Sequence, residues 1–282
     1  VSAPAPTLDL EIALARRCGP GRRVVVGLDE VGRGALAGPV AVGALALEIT
    51  DGAVSPLPEG VRDSKKLTAR RREALVDPIR ETALAGAVGW AEAAEIDEIG
   101  IMPALTRAAL RALDALAVEI DAILLDGDAD VLTGALSAAD RPAPLVELRV
   151  AADRDCASVS AASILAKVAR DARMVALDAE APEYRWASNK GYGSAAHREA
   201  IDRLGAHEHH RRSWRLGSAP AARPAAARPA PARPAPTRGA PTRTAPTASP
   251  GGHEPAGARP TTSSAGVLWE GPWSPQDEEE RR

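Results

Sequence analysis

Short apolar runs that read as strands alternate along the chain with apolar residues at helical spacing. Leu8, Ile12 and Ala15 mark a first helix, and Gly19, Pro20 and Gly21 end it. The run Val24, Val25 and Val26 predicts a buried strand, and residues 40–47 predict a second, so that a β-hairpin follows. Residues 52–60 are loop, and Thr68 is positioned to cap a helix marked by Arg72, Leu75, Ile79 and Leu84. A short strand at 87–91 and a short helix at 93–100 precede an amphipathic helix at 101–118, with Leu105, Ala109, Leu113 and Leu116 on one face. Further strands are expected at 122–125 and 145–150. A long helix follows at 158–179 and opens with small residues suited to close packing, and another is expected at 195–204. From Ser218 the chain turns to Pro, Ala, Arg, Thr and Gly, so the folded part is placed at residues 1–217 and a disordered tail at 218–282.

The strand ends carry the chemistry. Asp29 and Glu30 are neighbours on a strand and would point to opposite faces, so they can serve one centre only if the strand bends or ends there. Gly32 and Gly34 permit such a bend, and two carboxylates held together call for a hard divalent cation such as Mg2+ or Mn2+. Arg33, between those glycines, suits phosphate, although an Asp-Glu turn with a solvated arginine would look the same. The strand at 122–125 repeats the design by ending in Asp126 and Gly127, where open α/β sheets bind ligands. Ser64, Lys65 and Lys66 lie just before a helix N-terminus, which favours anions or is simply a solvated basic turn. Tyr192 sits between glycines and could stack on a sugar or base, or be a plain turn tyrosine. Asp153, Asp155, Lys167 and Asp171 are further polar candidates, the last two spaced for a helical ion pair. His207, His209 and His210 invite a zinc reading, but the absence of cysteine partners favours a basic surface turn.

Charge changes the picture only in part. Residues 1–217 carry 27 Lys+Arg against 32 Asp+Glu, an acidic balance that argues against nucleic-acid binding unless bound cations offset it. Only four basic residues are lysine, Lys65, Lys66, Lys167 and Lys190, which suggests sites where the wide guanidinium does not fit. Cys18 and Cys156 are too few for a disulfide scaffold, so a reducing cytoplasm is expected. No secretion signal or membrane span is read. The tail, with Arg223, Arg228, Arg233, Arg238 and Arg243 every five residues, reads as a weak polyanion contact or an inert linker, and Trp269 and Trp273 as a short docking peptide.

Taken together, GLDEVGRGALAGPV from Gly27, DSKKL from Asp63, LLDG from Leu124, AADRDCASVSAASILAKVARD from Ala151, NKGYG from Asn189 and HRRSW from His210 resemble bacterial ribonuclease HII. The resemblance covers roughly residues 24–214. It implies an α/β, RNase H-like fold: a mixed five-stranded sheet flanked by helices, with a small C-terminal helical segment. It also implies metal-binding carboxylates at Asp29, Glu30, Asp126 and Asp153, with Asp153 preferred to Asp155 because it lies ten residues before Ser163. The implied substrate contacts are Gly32, Arg33 and Gly34 at the ribose 2′-hydroxyl, Tyr192 stacking beside them, and Ser64, Lys65 and Lys190 on phosphates. The implied activity is two-metal cleavage of RNA in RNA–DNA hybrids and incision 5′ to single ribonucleotides in duplex DNA; a monomer is the default expectation. Val31, Asn189 and Ala152 depart from the family's usual residues, and Asn189 leaves any histidine role there open. A related nuclease or phosphatase would leave Gly32–Gly34 and Tyr192 without a purpose, a noncatalytic hybrid-binding module could dispense with the acids, and a ribonuclease HIII arrangement is disfavoured by the 23 residues before Val24.

Overall fold

The computed structural model describes residues 5–137 and 143–217, and the reading of 218–282 as a tail lies outside them. Its elements are α1 (Asp9–Arg17), β1 (Arg22–Val31), β2 (Val40–Thr50), α2 (Ala69–Thr82), β3 (Ala85–Ala91), α3 (Ala93–Ile99), α4 (Ile101–Ala115), β4 (Ala122–Asp126), α5 (Thr133–Ser137), β5 (Leu145–Arg149), α6 (Ala152–Asp155), α7 (Ala157–Asp178), α8 (Trp186–Asn189) and α9 (Ala195–Leu204). Thr68 caps α2 as expected, accepting from the Arg71 amide. The short α5 and α8 carry no apolar period and were not legible.

The five strands form one mixed sheet in the order β3-β2-β1-β4-β5. The hairpin is present, with β1 antiparallel to β2 from Arg22 opposite Thr50 to Val31 opposite Ala41. On its other edge β1 is parallel to β4 only from Val25 to Leu28. This corrects the expectation that the strand ends or bends at the acids: β2 holds β1 extended through Val31, and it is the β4 pairing that stops. The two side chains therefore do point to opposite faces. They share one centre because the sheet opens beside them.

Residue parity along β1 sorts the core. Val24, Val26 and Leu28 pack with α4 residues such as Leu105 and Leu113, while Val25 packs on the opposite face with α1 and with Val159 of α7. With no phenylalanine available, the core is built largely from alanine, valine and leucine, and the layers lie close. A Cβ on Gly27 would come within 2.5 Å of the Ser158 backbone, and one on Gly43 within 2.2 Å of the Ala162 carbonyl oxygen. On the other face, a Cβ on Gly89 would come within 2.0 Å of the Ala108 carbonyl oxygen. These glycines set the distance between helices and sheet.

After α7 the chain folds around Trp186, Tyr184, His197 and His210, while the expected surface turn is kept only at Glu208 and His209. His210 is 1% exposed, and it forms an isolated bridge with Ala37. The His207 amide donates to His210 Nδ1 (2.9 Å), so the His210 proton lies on Nε2, facing His197 Nε2 at 3.0 Å. His197 Nε2 also accepts from Trp186 Nε1 (3.1 Å), which leaves its Nδ1 proton for the Tyr192 carbonyl (2.8 Å). Both rings must be neutral for this chain to close. Burial accordingly lowers the pKa of His197 and takes that of His210 to about 4. No helix among the described residues is long and apolar enough to cross a membrane.

Gly27→Ala should destabilise the fold by about 1–3 kcal/mol through overpacking, read from its urea midpoint; an unchanged midpoint would mean α7 does not sit where described. The His210 proton gives a second expectation. A depressed histidine pKa stabilises the fold fully above the unfolded value near 6.5, and that stability is lost as pH falls toward 4. The stability gap between wild type and His210→Asn should thus be widest above pH 6.5 and shrink by up to about 3 kcal/mol near pH 4, in parallel denaturation series. A gap independent of pH would refute the neutral pair.

Candidate active site

Asp29 lies on the α7 face of β1, 3% exposed, with the Ser163 hydroxyl hydrogen-bonded to it. Burial is the main reason its pKa is pushed up to about 8. Ser163 pulls it down, Glu30 and Asp126 push it further up, and Lys65 partly offsets them. Glu30, on the α4 face, is raised by burial and by Asp126, while Arg33, whose Nη1 lies 3.8 Å away, favours its ionised form. A cavity of about 70 Å³ lies beside Glu30 and Asp126, walled by Met102 and Leu105 of α4.

Asp126 is the last residue of β4, and Gly127 turns the chain away at φ +113°. Its Oδ1 accepts from the Ala152 amide (2.7 Å), which fastens the strand end to α6. Burial and then Asp153 raise its pKa. Asp153 is buried on α6, and its Oδ2 receives Lys65 Nζ at 3.1 Å. Burial works against the Lys65 charge, but Asp153, followed by Asp29 and Asp63, raises its pKa. Asp155, by contrast, faces outward to Arg149 at 3.0 Å. Four carboxylates thus converge from β1, β4 and α6 around one ammonium. An all-oxygen donor set that cannot ionise fully by itself fits hard divalent cations.

The remaining candidates divide. Ser64 is buried, with its hydroxyl 2.9 Å from that of Ser163, so the structure does not present it to solvent. Gly32 adopts φ +89°, and a Cβ there would come within 2.0 Å of Arg170 Nε, whereas Gly34 is open. Arg33 is half exposed and donates to Met102 Sδ (3.4 Å). Lys190 has a left-handed backbone and gives its ammonium to the Ala187 carbonyl, and Tyr192 is 39% exposed. Lys167 and Asp171 form the expected helical pair at 2.5 Å. The ligand atoms of His207, Glu208 and His209 lie within 4.8 Å of one another, but His207 Nδ1 accepts from the His209 amide (3.4 Å) and His209 Nε2 faces Glu180 (3.0 Å).

The family model for Ribonuclease HII matches residues 26–216, a span holding every one of these candidates. The chain belongs to the ribonuclease HII family. The ribonuclease HII of Laribacter hongkongensis is 50% identical over 192 residues, covering 68% of this chain and 91% of that protein. Among solved structures, the ribonuclease H2 of Pyrococcus horikoshii OT3 matches with a TM-score of 0.58 at 28% identity, over 68% of this chain and 94% of its own. A Bst ribonuclease HIII in complex with Mn2+ matches at 25% identity with a TM-score of 0.51, over 68% of this chain and 66% of its own. The RNase H-like fold and a metal-dependent ribonuclease activity follow from membership in the ribonuclease HII family.

Sequence reasoning missed two residues within the ribonuclease HII motifs. Arg170 and Arg211 are both 0% exposed and lie beneath the loop that follows β1. The signal was present in each case: Arg170 interrupts the small-residue face of α7, and Arg211 stands in HRRSW, directly after the histidine stretch expected to be a surface turn. Arg72 is a third, bonding the Ser64 and Leu67 carbonyls (2.8 and 2.6 Å) and lying 3.6 Å from Asp171.

Proposed function

We propose that the chain hydrolyses the RNA strand of RNA–DNA hybrids and incises duplex DNA 5′ to single embedded ribonucleotides, leaving 3′-hydroxyl and 5′-phosphate ends. The observation that carries this reading is the meeting of Asp29, Glu30, Asp126 and Asp153 where β1 outruns β4, beside the exposed backbone at Gly34. The four acids would hold the metal, Mn2+ or Mg2+, with two ions per site during catalysis. Bound divalent ions supply an activated water and stabilise the leaving 3′-oxygen.

The chain's own residues do the rest. Lys65 pairs with Asp153, and Ser163 orients Asp29. Backbone at Gly32, Arg33 and Gly34 meets the ribose 2′-hydroxyl, the group that marks RNA, and Tyr192 stacks beside it. Arg33, Lys65 and Lys190 hold phosphates, and Ser64 supports them from below. The enzyme works as a cytoplasmic monomer, and residues 1–217 form its catalytic domain. The Mn2+ complex of the ribonuclease HIII relative supports the choice of metal.

A duplex carrying one ribonucleotide should be cut 5′ to it with Mg2+ or Mn2+ and not with chelator. Asp126→Asn keeps an oxygen for the Ala152 amide, so it should fold and bind hybrid while losing at least about a hundredfold in turnover. Full activity in that variant would remove Asp126 from the centre. Truncation after Gly217 should leave a folded enzyme with unchanged rate on short duplexes; a large loss would assign residues 218–282 a part in catalysis.

A further inference from the structure

Two buried arginines hold the loop after β1 from beneath, through main-chain carbonyl oxygens. Arg170, on α7, donates from Nε to Pro39 (2.9 Å), from Nη2 to Ala37 (3.3 Å) and from Nη1 to Lys190 (2.9 Å), and its guanidinium lies 5.5 Å from the Tyr192 ring centroid. Arg211, far along the chain, donates from Nη2 to Gly32 (2.7 Å) and Gly38 (3.1 Å), from Nη1 to Arg33 (2.7 Å) and from Nε to Gly38 (3.2 Å). Its cation also rests 5.0 Å from the Trp214 ring centroid. Gly32 is obligatory here, because any Cβ would collide with the Arg170 guanidinium.

A buried cation is costly, and each of these is retained with several carbonyls to satisfy its fork. One fork joins the 37–39 carbonyls to Lys190 and, through stacking, to Tyr192. The other joins Gly32 and Arg33 to Gly38 and to the C-terminal segment. Lysine could not bridge these points, since its three donors radiate from a single nitrogen. The backbone at 32–33 is thus held by Arg211 and the Tyr192 ring by Arg170, so two features 160 residues apart in sequence rest on two neighbouring guanidinium groups that both also grip the 37–39 stretch.

We propose that Arg170 and Arg211 are positioning residues that hold the 32–34 backbone and Tyr192 as one rigid reader, and that this rigidity sets the discrimination between ribonucleotide and deoxyribonucleotide. The inference rests on the reading of that loop as the ribose contact. Neither arginine touches substrate. Each acts through the main chain it holds.

The test is a competition assay with the full chain. KM is measured on a duplex containing one ribonucleotide, and Ki on the all-DNA duplex of the same sequence as competitor, for wild type, Arg170→Lys and Arg211→Lys. The expected result is a KM raised about tenfold in each variant with Ki unmoved, so that the Ki/KM ratio collapses. A merely structural role would reduce the folded fraction, lowering the rate per total enzyme while KM and the ratio stay fixed, and that outcome overturns the proposal. Because the two arginines hold different carbonyls, either variant alone decides the matter if the other fails to fold in a thermal melt. Arg211→Gln, which keeps a planar amide, is the replacement should both fail. A wild-type ratio near one would instead refute the loop as ribose reader, a result distinguishable from failure of the arginine clamp.

Discussion

Helix α7 lies against β1 and β2 at a separation that only glycine allows, and the rest of the molecule depends on that contact. Gly27 and Gly43 remove the two side chains that would hold the helix off. With the gap closed, Ser163 reaches Asp29, Asp171 reaches Arg72 and through it the turn at 64–67, and Arg170 reaches the carbonyls at 37–39. One rigid rod of 22 residues thus positions a strand carboxylate and two separate loops. A core with larger aromatic side chains would hold its layers further apart, and these polar reaches would fail.

The electrostatics divide by side-chain shape. Where carboxylates crowd, the compact ammonium of Lys65 is used, and Lys66 and Lys167 likewise each serve a carboxylate, Asp63 and Asp171. Where several carbonyls must be gathered from different segments, the planar guanidiniums of Arg72, Arg170 and Arg211 are used. At the centre Asp29 resists ionisation chiefly because it is buried, and the neighbouring carboxylates of Glu30 and Asp126 add to that. An acidic ribonuclease can then approach a polyanion once cations neutralise that cluster.

The alternation of apolar runs and helical spacings made the fold legible, because a sheet covered by helices writes its layers into local periods. The hairpin, α2 with its Thr68 cap, α4 and α7 all follow from such periods. Asp29, Glu30 and Asp126 were visible as acids ending apolar runs, whereas Asp153 and Asp155 could be separated only by the spacing to Ser163 that the resemblance supplies, since the burial that distinguishes them is not written in their own sequence. The length of β1 was misjudged for a related reason: sheet pairing on one edge can hold a strand past the point where its other neighbour leaves. Arg170, Arg211 and His210 were hidden because a buried cation or imidazole owes its place to partners more than a hundred residues away or to a tertiary pocket. Local sequence can mark such a residue as out of place, but it does not name its partners.

The span from Gly32 to Arg211 also has a temporal meaning. The hydrogen bond that fixes the Gly32 carbonyl closes across 179 residues. At roughly 5–20 residues per second of synthesis, the hairpin and its two acids emerge on the order of ten seconds or more before the arginine that clamps the loop beside them exists. A loop made early is therefore finished by a segment made late, and it stays unclamped on the growing chain until Arg211 has docked.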